Sequence, residues 1–217
     1  MAKHPVVVYG ASGYTGMLIM DWLIDQNIAF TAVARDAKRV QEMMAQRVVR
    51  LESATYEIIE ANHDVESLIK AFKGAKVVCS TVGPFINFGL VSVEAALKAG
   101  CHHIDTTGEQ GYMRAVRDQF GALYAQAGLL VSPSIAYMYT YAEIAAELAL
   151  ETPGIDALET ATLSRMPRGN SSGVTVGSTA SIFEMFRQEA CFLWEKRLMP
   201  HASGASFNIV CFTPHYS

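Results

Sequence analysis

The chain has 217 residues, of which 51% are hydrophobic and 18% are charged, enough for the core of one large domain or of one domain and part of another. Its 17 basic and 21 acidic residues give a net charge of −4, which argues against nucleic acid or anionic membrane as a partner. Charged residues interrupt every apolar run, so the sequence contains no candidate for an integral membrane segment, and the first residues do not resemble a signal peptide. We therefore expect a cytoplasmic protein.

Two further features of the composition bear on partners. The mean hydropathy of +0.19 is high and favours a buried subunit interface, such as that of a homodimer, or an apolar ligand pocket. The four cysteines stand at positions 79, 101, 191 and 211, without the CxxC spacing of a zinc or redox site. We expect them to be reduced and buried, and we predict no metal site.

Short apolar strands alternate with helices along the first 132 residues. The predicted strands are 5–9, 29–34, 56–60, 76–82, 102–105 and 129–132. The predicted helices are 15–26, 37–47, 65–72, 91–99 and 111–126. This alternation predicts an α/β fold of the Rossmann type, a doubly wound parallel sheet with helices on both faces.

The first predicted strand leads into a helix through glycines at positions 10, 13 and 16, in the stretch "GASGYTG". A strand, G-x-x-G-x-x-G and a helix in succession are typical of a dinucleotide-binding turn. The first glycine permits the tight turn, the second leaves room for a pyrophosphate, and the third lets the helix pack closely. The N–H groups at the start of the helix then face the phosphates. The predicted phosphate-binding residues are Gly10, Ser12, Gly13, Tyr14, Thr15 and Gly16.

The second predicted strand ends at Ala34, where an acidic residue would accept a hydrogen bond from the ribose 2′-OH of NAD. Here Arg35 follows, with Lys38 and Arg39 close behind, and a guanidinium can bind a phosphate through two parallel hydrogen bonds. We therefore predict NADP(H) rather than NAD(H), with Arg35 and Lys38 at the cofactor. Asp36 argues for NAD(H) instead, although it stands one position later than the acidic residue that usually binds the ribose. A solvated charged turn at the start of a helix is the alternative to any cofactor role.

Five segments occur in the order and spacing of the saccharopine-dehydrogenase-like oxidoreductases. They are "GASGYTG", "ARDAKR", "STVGPFINFG", "VSVEAALKAGCHHIDTTGE" and "GSTASIFEM". The chain resembles most the branch that includes the trans-acting enoyl reductases, over most of residues 5–150. Family members are typically longer, with a second domain that completes the substrate cleft. This chain departs from the pattern at "SPSIAYMYTYAE", where the family usually has a segment rich in Asp, Ser and Pro.

The resemblance implies a cofactor that runs along the carboxyl ends of the strands, where open parallel sheets bind their ligands. It places the segment after the fourth strand along the pyrophosphate and the nicotinamide ribose, namely Thr81, Val82, Gly83, Pro84 and Phe85. It places Asp105–Glu109 on the nicotinamide side and Asn62 and Asp64 near the adenine. Capping of the following helix is an equally good explanation for Asp64.

Reduction of a substrate also needs a proton donor near the cofactor. No tyrosine has a lysine four residues later, so the Tyr–Lys arrangement of the short-chain dehydrogenases is not expected. Glu109 follows a strand end and a glycine, as functional loop residues often do. The predicted catalytic residues are Glu109, Tyr137 and Tyr139. For any individual tyrosine, Tyr141 included, aromatic packing at a domain junction is the favoured explanation. His102 and His103 begin a strand, so we expect one to face inward and both to be structural.

The pattern changes after Pro153, where strands at 157–164 and 206–212 and a helix at 178–189 are predicted. We therefore predict a dinucleotide-binding domain over 1–150 and, over 151–217, the truncated start of an α+β domain for substrate binding or dimerisation. The apolar stretch 181–199 is interpreted as a helix on its own domain, with a lipid-like substrate or a dimer face as the second reading.

These features together predict an NADP(H)-dependent oxidoreductase that reduces a C=C or C=N bond of a small or lipid-like metabolite. An NADP-binding regulatory or redox-sensing protein without turnover is the alternative, because it needs the same glycines. An incomplete chain without activity of its own is a third interpretation. Fold analogy does not choose among them.

Overall fold

The computed structural model describes residues 1–47, 51–155, 176–187, 190–194 and 197–201. Its strands are β1 (Val6–Tyr9), β2 (Phe30–Ala34), β3 (Tyr56–Glu60), β4 (Val77–Ser80), β5 (His102–Asp105), β6 (Val131–Ser132), β7 (Ala190–Trp194) and β8 (Arg197–His201). Its helices are α1 (Tyr14–Asp25), α2 (Ala37–Arg47), α3 (Val65–Phe72), α4 (Phe85–Ala99), α5 (Gln110–Val116), α6 (Ala122–Gln126), α7 (Tyr137–Leu150) and α8 (Val176–Phe186). A 3₁₀ turn spans Leu51–Ser53, and a π-helical turn, Arg117–Gly121, joins α5 to α6.

The first six strands form one parallel sheet in the order β3-β2-β1-β4-β5-β6. The chain starts in the middle, winds outward through β2 and β3, and then returns to place β4 on the other side of β1. The carboxyl ends of β1 and β4 therefore flank the point where the winding direction reverses, which is where such sheets bind ligands. The predicted Rossmann-type doubly wound fold is confirmed.

Helices cover both faces of this sheet, because successive side chains of a strand point to opposite faces. Val7 joins a core cluster with Leu68 and Phe72 of α3. Val8, its neighbour in β1, joins a second cluster with Met20 of α1 and residues of α2. Strands buried on both faces are expected to be continuously apolar, and β1 is.

Helix α4 begins at Phe85, where the sequence interpretation expected a start at Val91. That interpretation treated the Gly-Pro pair as the end of a strand with a loop behind it. In the structure Pro84 occupies the cap position of α4, so the chain enters the helix directly. The start of this helix therefore lies next to the carboxyl ends of the sheet strands.

Helix α7 was not predicted, since residues 134–141 were interpreted as a junction. Its later residues, "AEIAAELAL", are strong helix formers. Apolar residues recur on the exposed side of α7, at Tyr137, Tyr141, Ile144 and Leu148, so the two sides of the helix differ little in polarity. Propensity was therefore the usable signal, and periodicity was not.

The C-terminal part differs from the single long helix considered for 181–199. Helix α8 ends at Phe186, and β7 and β8 follow as an antiparallel hairpin. The predicted strands at 157–164 and 206–212 lie outside the described residues. None of the helices that the structure describes has the length and apolarity needed to cross a bilayer.

Candidate functional site

Two close approaches of the backbone shape the turn between β1 and α1. Gly10 has a φ of +89°, and a Cβ there would lie 2.6 Å from Thr81 Oγ1. A Cβ at Gly16 would lie 2.5 Å from the carbonyl oxygen of Gly10, so α1 packs directly on the turn. Any larger side chain at either position would push the helix or the β4 end away.

The start of α1 suits an anion. Gly13 occupies the cap position without a side-chain hydrogen bond, and the first turn carries no acidic residue. A Cβ at Gly13 would have only the Gly10 carbonyl oxygen nearby, at 3.2 Å, so the other side of this residue is open. Tyr14 and Thr15 are exposed beside it. The turn thus fits the pyrophosphate of a dinucleotide, held by backbone N–H groups and the helix dipole.

Arg35 and Asp36, the cationic and the acidic candidate for binding the adenosine ribose, have different surroundings after β2. Arg35 is exposed directly after the strand, whereas the Asp36 carboxylate accepts the N–H of Arg39 at 2.9 Å and caps α2. Lys38 is exposed and lies 3.8 Å from Glu42, a weak surface pair one helical turn on. Capping therefore accounts for Asp36 and leaves Arg35 open at the edge.

His63, which the sequence analysis did not select, lies at the same edge of the sheet. Its Nδ1 is 2.6 Å from the Tyr9 hydroxyl, the two rings are stacked, and Phe88 meets it edge-on. Burial lowers the pKa of His63, and the nearby Arg35 guanidinium lowers it further. Burial raises the pKa of Tyr9 to about 12, so its hydroxyl stays protonated. These groups form an aromatic wall between the β3 end and α4.

Asp64 has the capping role that was one of its two readings. Its carboxylate accepts the N–H of Ser67 at 2.8 Å at the start of α3, and this hydrogen bond is the main reason its pKa lies below the ordinary value. Asn62 is exposed just before it. Capping explains Asp64 without a ligand.

The loop Thr81–Pro84, hereafter the GP loop, joins β4 to α4 beside the glycine turn. The Thr81 N–H donates to the Tyr9 carbonyl at 2.9 Å, and the Thr81 hydroxyl approaches the carbonyls of Tyr9 and Gly10 at 3.1 and 3.3 Å. Val82 and Phe85 pack into two different core clusters. The structure therefore brings together the glycine turn and the segment that the resemblance assigned to the cofactor.

Glu109 is fully buried, and both of its carboxylate oxygens are in use. Oε1 accepts the N–H of Phe85 and Oε2 the N–H of Ile86, each at 2.8 Å. Its own N–H donates to the Thr107 hydroxyl at 3.0 Å. The side chain selected as a proton donor thus points at the first turn of α4.

Asp105, at the end of β5, is also buried and fully engaged. One oxygen accepts the N–H groups of Thr107 and Ser134, at 3.0 and 3.1 Å, and the other accepts the Tyr112 hydroxyl at 2.8 Å. Burial raises the pKa of this carboxyl to about 6 despite these hydrogen bonds. Asp105 ties β5 to α5 and to the segment after β6.

The buried side chains of Ser92, His103 and Asp105 lie next to one another in space, but they do not form a catalytic triad. His103 Nε2 is 3.1 Å from Ser92 Oγ, and Nδ1 is 3.9 Å from Asp105 Oδ2. Ser92 donates its proton to the Gly89 carbonyl, so His103 Nε2 donates to Ser92. All three side chains are buried, and burial lowers the pKa of His103 to about 3. His103 is structural, as expected.

The predicted tyrosines occupy different places on α7. The Tyr139 hydroxyl donates to the Gly108 carbonyl at 3.3 Å, in the loop after β5, and this side chain is half-buried. Tyr137 and Tyr141 pack edge-on, with ring centroids 5.4 Å apart, and each is 67% exposed. Of the three predicted catalytic residues, Glu109 therefore ends the loop after β5, Tyr139 contacts that loop from α7, and Tyr137 packs against Tyr141.

A parallel sheet in this order, with a glycine turn and an uncapped helix at its switch point, defines a dinucleotide-binding protein of the Rossmann type. Residues 10–157 match the family described as NAD(P)H-binding, and the chain belongs to that family. The structure is similar to that of saccharopine dehydrogenase (L-Glu forming) from Saccharomyces cerevisiae, with a TM-score of 0.57 at 16% identity, over 92% of this chain and 44% of that one. This likeness shows the fold.

Curated relatives are similar at modest identity. A lipid droplet localized protein from Caenorhabditis elegans is 28% identical over 60% of this chain and 32% of its own length. A protein named as a trans-acting enoyl reductase from Mycobacterium tuberculosis is 28% identical over 83% of this chain and 44% of its own length. A trans-acting enoyl reductase from Mycobacterium leprae is 32% identical over 52% and 27%. The chain thus spans less than half the length of each of these relatives.

Proposed function

We propose that this chain forms the NADP(H)-binding part of an oxidoreductase that reduces a C=C or C=N bond in a small or lipid-like metabolite. The observation that carries the proposal is the uncapped start of α1, open at Gly13, at the same sheet edge as the exposed Arg35. The names of the mycobacterial relatives support the reduction of a C=C bond. The name of the nematode relative supports a lipid-like substrate.

The preference for NADP(H) over NAD(H) rests on the engagement of Asp36. An acidic reader must offer a carboxylate to the ribose 2′-OH, and Asp36 instead caps α2 through the Arg39 N–H. Arg35 is left to bind a 2′-phosphate with a charge-assisted hydrogen bond. A second carboxylate near this edge, that of Glu60, accepts the Ala37 N–H at 3.1 Å.

For the chemical step, a bound nicotinamide would supply a hydride, and the chain would supply the proton. We assign the proton to the Tyr139 hydroxyl, because it is half-buried at the loop after β5, where it donates to the Gly108 carbonyl at 3.3 Å. Tyr137 is the second candidate. It is 67% exposed and packs edge-on against Tyr141.

The alternative, an NADP-binding regulatory protein without turnover, is favoured by one observation. Both acidic side chains on the proposed nicotinamide side, Asp105 and Glu109, are buried and spend their oxygens on internal hydrogen bonds. An enzyme of this design depends on tyrosine chemistry or on residues elsewhere in the protein. A sensor needs neither.

Turnover separates the two proposals. The full-length protein is incubated with NADPH and a panel of enoyl thioesters, enones and imines of increasing chain length, and the reduced-nicotinamide absorbance is followed. NADPH oxidation that requires one substrate class of the panel supports the enzyme. A kcat at least tenfold lower in Tyr139→Phe and unchanged in Tyr141→Phe supports Tyr139 as the proton donor. Tight NADPH binding without oxidation across the panel supports the regulatory alternative. Failure of both NADPH and NADH to bind overturns both.

A further inference from the structure

The GP loop is held at both of its ends, and the two ends are held by different parts of the chain. At the start, Thr81 binds the carbonyl groups of Tyr9, the last residue of β1, and of Gly10 in the glycine turn. At the other end, Glu109 accepts the first two N–H groups of α4, from Phe85 and Ile86. Between these anchors the loop has no regular structure.

The second anchor is needed because α4 has no cap of its own. The first N–H groups of a helix lack partners inside the helix, and Pro84, at the cap position, makes no side-chain hydrogen bond. Glu109 supplies the missing acceptors from a position 24 residues further along the chain than Phe85. Its charge also suits the positive end of the helix dipole.

A network of buried polar groups holds Glu109 in turn. The Thr107 hydroxyl accepts the Glu109 N–H, and the Thr107 N–H donates to Asp105 at the end of β5. These three side chains are all buried. The position of Glu109 therefore depends on the end of β5 through these hydrogen bonds. A displacement of β5 would move Glu109 and, through it, the start of α4.

We propose that Glu109 is a positioning residue for the cofactor, which holds the GP loop in register with the glycine turn so that the nicotinamide half of the dinucleotide binds. This inference rests on the proposed function. Glu109 acts through Phe85 and Ile86 and touches neither substrate nor cofactor. It differs from the proton-donor role because both oxygens are occupied and the side chain is buried.

The test compares ligands that report on the two halves of the site. In Glu109→Gln, the amide can accept from only one of the two N–H groups, and its own NH₂ faces the other. We expect NADPH to bind on the order of tenfold more weakly by calorimetry, since a charge-assisted pair is lost. Adenosine 2′,5′-bisphosphate, which has only the adenosine half, should bind within about twofold of the parent. Hydrogen exchange at the Phe85 and Ile86 amides should speed up.

Glu94→Gln is the matched control. It removes the same charge from an exposed position on α4, where Glu94 pairs with Lys98, and should change none of these readouts. Should Glu109→Gln fail to fold, Thr107→Val carries the test, because it removes the acceptor of the Glu109 N–H and keeps the carboxylate. The same direction with a smaller loss is then expected.

Three outcomes overturn the inference. Unchanged NADPH affinity in the folded variant shows that the loop does not need Glu109. Equal weakening of NADPH and of the bisphosphate shows a general structural defect and no selective effect on the nicotinamide half. If the parent binds neither NADPH nor NADH, the proposed function itself fails and the inference falls with it.

Discussion

At the scale of single residues, the site is built on positions where a side chain is either excluded or required. Gly10 and Gly16 have neighbours so close that a Cβ would collide with them. Gly13 differs, since a Cβ there meets only one carbonyl oxygen at 3.2 Å. Gly10 and Gly16 therefore serve the packing of the turn, and Gly13 is the glycine at which we expect a side chain to interfere with a ligand.

Gly13→Val should abolish dinucleotide binding and leave the fold intact. The new side chain would fill the open side of the turn, where the pyrophosphate approaches the backbone. Calorimetry with NADPH measures the loss, and circular dichroism checks the fold. Gly121→Ala, at a helical position with open space around it, is the control. A variant that binds NADPH as tightly as the parent would remove Gly13 from the phosphate site.

Arg35→Ala should weaken NADPH far more than NADH. A charge-assisted hydrogen bond to the 2′-phosphate contributes roughly 1.5–3 kcal/mol, so the expected loss for NADPH is about tenfold to a hundredfold. Titration of both cofactors, with the exposed Arg117→Ala as control, gives the ratio. An equal loss of affinity for the two cofactors would exclude Arg35 as the 2′-phosphate ligand and make Asp36 the candidate for binding the ribose again.

At the scale of elements, α4 and α5 pack closely against each other just behind the GP loop and the loop after β5. A Cβ at Gly89 of α4 would overlap the ring of Tyr112, the α5 tyrosine whose hydroxyl binds Asp105. Tyr112 and Phe85 also pack with ring centroids 5.6 Å apart. The absence of a side chain at Gly89 thus lets α5 approach α4 and reach β5.

Gly89→Ala should destabilise the protein although alanine is the better helix former. Replacing a helical glycine by alanine gains up to about 1 kcal/mol, whereas overpacking a buried contact costs roughly 1–3 kcal/mol. At Gly89 the cost of overlap with the Tyr112 ring exceeds the gain in helix propensity. Gly121→Ala meets nothing within 4 Å and should raise the free energy of unfolding. Urea midpoints of the two variants should therefore move in opposite directions, and a shift of both to higher urea would refute the packing.

At the scale of the whole molecule, the buried pair His103 and Asp105 links stability to pH in two opposing ways. Burial lowers the pKa of His103 from 6.5 to about 3, so only the unfolded chain takes up this proton as the pH falls through 6.5, and stability is lost. Burial raises the pKa of Asp105 from 3.8 to about 6, so the folded chain takes up this proton first, and stability is gained. The two effects partly cancel in mild acid.

Asp105→Asn should uncover the histidine effect. Between about pH 7 and about pH 5, the free energy of unfolding of the variant should fall by about 1–1.5 kcal/mol more than that of the parent, because the compensating carboxyl is gone. Urea unfolding at a series of pH values measures this difference. The exposed Glu94→Gln variant should follow the parent. Parallel curves for Asp105→Asn and the parent would show that Asp105 does not titrate in this range.

The sequence by itself determined the features that depend on neighbours along the chain. The apolar strands, the glycine turn, the caps at Asp36 and Asp64 and the cation at Arg35 are all local, and local sequence predicted the parallel sheet and a dinucleotide turn at its centre. The tertiary structure alone decided which groups Glu109 contacts and where α4 begins. Both involve the hydrogen bonds from Phe85 and Ile86 to a carboxylate 24 and 23 residues away, which the folding of β4 and β5 side by side brings into reach. Its position after a strand and a glycine predicted a loop residue open to a substrate, whereas in the structure Glu109 is buried against the start of a helix.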